Sequence, residues 1–156
     1  MKKIFFLVLL FILSSCAVSK ELKEERISWD YNNWDKKYKE RALSLCIMKG
    51  YENKSIEKML KNNDKSLYDP LAIAIFDKSL KPIINDELKK IKQDSINSIG
   101  SYPDDLKTIY QKRNVLGNCI DFYNSKKLDS ITKKESEKWK KIKNILDEIH
   151  KEIPTY

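Results

Sequence analysis

The chain has 156 residues, which allows one domain and little else. Hydrophobic residues make up 41% and charged residues 35%, so a packed core is expected and a long polar disordered chain is excluded. Three Gly argue against a β-sandwich, a barrel or a Gly-rich phosphate loop. One His excludes His-based zinc sites and weighs against a Ser-His-Asp arrangement. Lys+Arg 31 against Asp+Glu 23 makes the chain basic. The lysines are scattered among Glu and Asp, which suits a solvated surface, an acidic partner or anionic lipid headgroups. No basic block with interleaved aromatics points to nucleic acid. The composition favours an all-α protein that binds, with no cofactor, over one that catalyses.

Met1-Lys2-Lys3 is a short positive stretch, and Ile4 to Leu13 is a continuous apolar run. That is the build of a signal peptide over residues 1–15, too short to span a bilayer as a mature helix. The run ends in Leu13-Ser14-Ser15-Cys16, which resembles the bacterial lipobox. The resemblance implies cleavage before Cys16 and lipidation there. Ala17 rather than Asp follows the cysteine, so the outer membrane is the expected destination. Two or more acyl chains anchor stably where one does not. Residues 16–30 then form a lipidated, charged tether.

The helical domain is expected over residues 31–132. Tyr31, Trp34, Tyr38, Ala42, Leu45 and Cys46 recur at three and four and predict a first helix, with Gly50 as its C-cap. Asn53 or Ser55 opens a short helix through Ile56, Met59 and Leu60. Asp69-Pro70 signals the start of a central apolar helix carrying Leu71, Ile73, Ala74, Ile75 and Phe76. Pro82 starts a new helix or kinks this one, and Ile84, Leu88, Ile91, Ser95 and Ile99 continue at helical spacing. Gly100, Ser101, Tyr102, Pro103, Asp104 and Asp105 give the strongest loop signal in the domain. Ile109, Leu116, Cys119, Ile120 and Tyr123 mark a helix ending near Asn124, and Ser125 caps another with Leu128 and Ile131. From Lys133, the spacing of Trp139, Ile142, Leu146, Ile149 and Ile153 predicts a C-terminal amphipathic helix over 133–156, docked on the core or meeting a partner.

With Cys16 taken by lipid, Cys46 and Cys119 remain. In an oxidising compartment they are most simply a disulfide, and the alternative is two buried free thiols. A bridge across 73 positions would pin an early helix to a late one. The expected fold is therefore an all-α compact bundle of about five to six helices stapled by one disulfide, plus a C-terminal helix. His150 falls on the polar side of the last helix, and the adjacent carboxylates Asp104-Asp105 do not face one another, so no acid–base couple emerges.

The segment from Arg41 to Lys133 resembles the type VI secretion amidase immunity proteins of the fourth amidase-immunity family. Three features carry the likeness: Leu45-Cys46-Ile47 followed by Lys49-Gly50-Tyr51; the central helix around Tyr68 with Asp77-Lys78-Ser79; and the run from Leu116 through Cys119-Ile120-Asp121-Phe122-Tyr123-Asn124-Ser125 to Leu128-Asp129. The resemblance implies a small exported helical protein that is not an enzyme. Its partner would be a papain-like cysteine peptidoglycan amidase, bound by parts of both subunits of a homodimer. It also implies that a protruding loop, by position Gly100–Lys107, enters the enzyme's groove. The lipobox and the helix from Lys133 lie outside the family pattern. The competing expectation is a structural or accessory envelope lipoprotein without a toxin partner.

Overall fold

A computed structural model describes residues 32–99, 103–110, 112–142 and 144–154. The signal segment, Cys16, the tether and Gly100, Ser101 and Tyr102 of the expected loop lie outside the described residues. Nearly all described residues belong to one compact unit, Asp35–Tyr156. Among the described residues all regular structure is helical, in agreement with the all-α expectation. The helices are α1 (Trp34–Gly50), α2 (Lys54–Asn63), α3 (a π-helical start Ala72–Phe76 continuing as Asp77–Ile99), α4 (Lys107–Tyr110), α5 (Val115–Tyr123), α6 (Lys126–Trp139) and α7 (Ile145–Glu152). A 3₁₀ turn, Lys65–Leu67, joins α2 to α3.

Local chemistry sets most helix starts. The Asn53 side chain accepts from Ser55 N and Ile56 N and opens α2. Asp69 accepts from Leu71 N and Ala72 N, and Pro70 follows it with no N–H to orphan. Asn114 accepts from Gly117 N at the start of α5, and Ser125 accepts from Leu128 N at the start of α6.

The core is drawn from α1, α3, α5, α6 and α7, whereas α2 buries none of its residues. Tyr38, Ala42, Leu45 and Cys46 of α1 meet Ile75, Phe76 and Leu80 of α3, Cys119 of α5, Leu128 of α6 and Ile149 of α7 among the buried side chains. Tyr38 packs edge-on to Phe76 at 5.2 Å between ring centroids. Ser79 donates to Phe76 O, so its Oγ accepts from the Tyr38 hydroxyl at 2.9 Å. Burial pushes the Tyr38 phenol up to about 12, against the pull of that hydrogen bond.

Cys46 and Cys119 form the disulfide, with Cα atoms 5.7 Å apart and both residues fully buried. One turn beyond Cys46 stands Gly50, and one turn before Cys119 stands Val115. A Cβ on Gly50 would meet Val115 Cγ1 at 2.5 Å. Matching Cys46 to Cys119 and Gly50 to Val115 makes α1 and α5 run antiparallel at close approach. The helix ends at Gly50 as expected, but Gly50 is its last helical residue with no positive φ, and its missing Cβ serves the packing against Val115. The positive φ falls on Glu52, at 48°, with Glu52 N donating to Lys49 O.

Two further expectations change. Of the two outcomes expected at Pro82, a new helix start is not what is found: α3 runs through it to Ile99. The stretch 133–156 is not one helix. Residues from Lys133 to Trp139 complete α6, turns at 140–142 break the run, and α7 begins at Ile145. The break swings the second half onto the π-helical segment of α3, where Ile149 is fully buried.

Replacing both half-cystines, Cys46→Ser with Cys119→Ser, should lower the unfolding free energy by about 2–5 kcal/mol, read by urea denaturation. Gly50→Ala should cost about 1–3 kcal/mol by overpacking against the stiff, buried Val115. Adding Val115→Ala should recover part of that loss, a positive coupling that a double-mutant cycle would measure.

Candidate functional site

Two surface regions combine exposure with chemistry. The first follows the expected loop along the chain. Pro103 to Leu106 form an exposed turn closed by Leu106 N donating to Pro103 O at 3.0 Å, and α4 follows at once. Apolar side chains stand out beside it in chain order. Leu106 is 36% exposed, Ile109 59%, Leu116 52% and Ile120 49%. On α5, Val115, Cys119 and Phe122 face inward while Leu116 and Ile120, one turn apart, face out.

This region is fixed to the scaffold at its far end. Arg113 donates to Gly50 O at 3.3 Å and to Glu52 Oε2 at 2.6 Å, tying the start of α5 to the end of α1. The guanidinium holds the Glu52 carboxyl below its usual range. The disulfide then fixes α5 itself.

The second region is a groove of about 670 Å³ walled by α1, α2 and α3. Leu45, Met48, Leu67 and Ile84 line it and are buried; Ile73 and Tyr68 line it and are exposed. At one end Arg41 forms a two-pronged pair with Asp77, both N···O distances 2.8 Å, and its third nitrogen donates to Leu67 O at 3.0 Å. Along the wall Glu57 Oε1 accepts from Lys49 Nζ and Lys61 Nζ, each at 2.7 Å. These two ammonium groups drop the Glu57 carboxyl to about 2. Helix α2 is amphipathic, yet none of its residues is buried.

The sequence reading marked the turn at Pro103, Asp104 and Asp105, and all three are exposed. It treated Leu116, Cys119, Ile120 and Tyr123 as a single helix face, and so missed that Leu116 and Ile120 are outward. A readable signal was present: a paired Cys119 must face inward, which sends the stripe 116–120 outward. It also counted Ile73 with the apolar arc of the central helix, whereas Ile73 lines the groove. His150 is exposed on α7. Among the described residues no group of three or more His, Cys, Asp and Glu is placed to hold a metal ion. Among them, too, no helix is long and apolar enough to cross a membrane.

Comparison of the chain with protein-family models, with curated proteins and with solved structures yields no match.

The Glu57 carboxyl titrates near 2 in the folded chain and near 4.5 when released. A lowered folded value means its contribution is present above pH 4.5 and is lost as pH falls through about 2. Because the pairs are partly exposed, that contribution should be at most about 1 kcal/mol. Glu57→Gln should therefore be less stable than wild type at pH 6 and indistinguishable from it near pH 2, by urea denaturation at each pH.

Proposed function

We propose that the protein is an envelope-anchored immunity protein that binds and occludes the active site of a papain-like cysteine peptidoglycan amidase delivered by type VI secretion. It acts by binding, not catalysis. Cys16 carries the lipid, which places the domain on the outer membrane facing the periplasm, where such an amidase would act. The family resemblance supplies the partner and implies a homodimer.

The observation that carries this reading is the set of exposed apolar side chains that follows the expected loop along the chain, on a stapled scaffold. Leu106 and Ile109, at the end of the Pro103–Leu106 turn and just after it, and Leu116 and Ile120 on α5 are large apolar side chains left in water. A surface that must enter a groove gains from such anchors, because covering apolar area releases about 25 cal/mol per Å². It gains again from rigidity, since little ordering remains to be lost on binding. The disulfide and the Arg113 contacts give that rigidity to α5, which carries two of these side chains. The sequence motif with the closest family likeness, Leu116 to Asp129, contains both the inward Cys119 and the outward Leu116 and Ile120.

Three experiments test this. Ile109→Asp with Leu116→Asp changes exposed positions only, so the melting temperature should hardly move. Binding to the co-encoded amidase should weaken by about thirtyfold or more, the loss of one central anchor of about 2 kcal/mol. Tyr102→Ala with Asp104→Ala should likewise abolish protection of cells expressing the amidase in the periplasm. Retained affinity in both folded double variants would place the binding surface elsewhere. Cys16→Ser should release the protein from membranes into the periplasm, read by fractionation after a salt wash.

A further inference from the structure

We propose that the groove between α1, α2 and α3 binds a single-chain anionic amphiphile, an acyl chain ending in a carboxylate or phosphate. The volume, about 670 Å³, is that of a small-ligand site, not of a flat contact surface. Its lining is apolar where it is deepest: Leu45, Met48, Leu67 and Ile84 are each at most 8% exposed. An alkyl chain is the ligand part that such a lining solvates better than water does.

The charges around it select the head group. The three carboxylates that line the groove are already engaged: Glu52 by Arg113, Glu57 by Lys49 and Lys61, and Asp77 by Arg41. Lys54 and Lys81 also line it and form no ion pair among the described residues. The surplus charge facing a ligand is therefore positive and comes from α2 on one wall and α3 on the other. The wall has demonstrated chemistry for this task, because Lys49 and Lys61 hold a carboxylate at 2.7 Å now. A cation would meet surplus ammonium groups, and a neutral amphiphile would leave them unused. Helix α2 buries no residue of its own, so that wall can shift to admit a chain.

The test uses the full exported chain with Cys16→Ser, which needs no detergent. Isothermal titration calorimetry below the micelle threshold would compare dodecanoate and dodecyl phosphate with dodecanol and dodecyltrimethylammonium. Both anions should bind once per chain, at least tenfold more tightly than the neutral or cationic amphiphile. Which anion is tighter tells a fatty-acid source from a phospholipid source. Lys54→Glu with Lys81→Glu should weaken anion binding tenfold or more and leave dodecanol unchanged. Lys54 opens α2, where an acidic residue suits the helix terminus, so this variant should fold. Lys54→Gln with Lys81→Gln should give a smaller loss in the same direction. Equal affinity for dodecanol and dodecanoate would overturn the proposal. So would binding of acetate or inorganic phosphate as tight as the amphiphile's, or no heat with any of them. An acidic amphipathic peptide that binds the groove more tightly than every amphiphile would reassign it to a protein partner.

Discussion

The crossing of α1 and α5 governs the rest of the domain. Cys46 and Cys119 bring the two helices to a Cα separation of 5.7 Å, nearer than most side chains allow. One turn away the approach is tolerated only because position 50 has no Cβ. Covalent bond and missing side chain are thus parts of one constraint, and each is of little use without the other. A bulkier residue at 50 would wedge the helices apart just where the bridge pulls them together. Arg113 adds a polar clasp at the same end, reaching the Gly50 carbonyl.

With α1 and α5 fixed, the central helix can be arranged around them. Its first turns are π-helical, with Asp77 N donating back to Ala72 O. The wider turn packs Leu71, Ala72, Ala74, Ile75 and Phe76 into the core and leaves Ile73 outside. Arg41 reaches across from α1 to pair with Asp77 at the end of that segment, and to the carbonyl of Leu67 in the turn before it. A charge this buried is tolerable because its donors are met by a carboxylate and a carbonyl. Removing either partner would strand the other. The same three-way contact closes one end of the lysine-rimmed groove.

The two candidate surfaces differ in kind. On α4 and α5, apolar side chains stand exposed on short helices, an arrangement suited to meeting a partner. Between α1, α2 and α3 the apolar residues are recessed and ammonium groups stand at the edge, a concave arrangement suited to receiving one. A domain of this size can carry both because the disulfide and the Arg41–Asp77 pair hold the framework.

Read by itself, the sequence determined the helical class, several of the starts and the staple. Helical periodicity, the Asn53, Asp69 and Ser125 caps, and the count of two cysteines within the helical domain are local or compositional facts, so no long-range information was needed. It also marked the Pro103–Asp105 turn, since Pro and paired Asp resist helix where they stand. Periodicity finds a stripe but not its direction, so it could not say that Leu116 and Ile120 face water or that Ile73 borders a groove. Nor could it say that Gly50 serves a helix crossing, because Gly at a helix end reads equally well as a cap. The seam from Trp139 to Ile153 looked continuous because each residue lies at the right interval, while the break at 140–144 lets Ile149 reach the π-helical segment of α3. These were decided only in three dimensions, where burial depends on which helices meet, and the meeting of α1 with α5 was fixed by residues 73 positions apart.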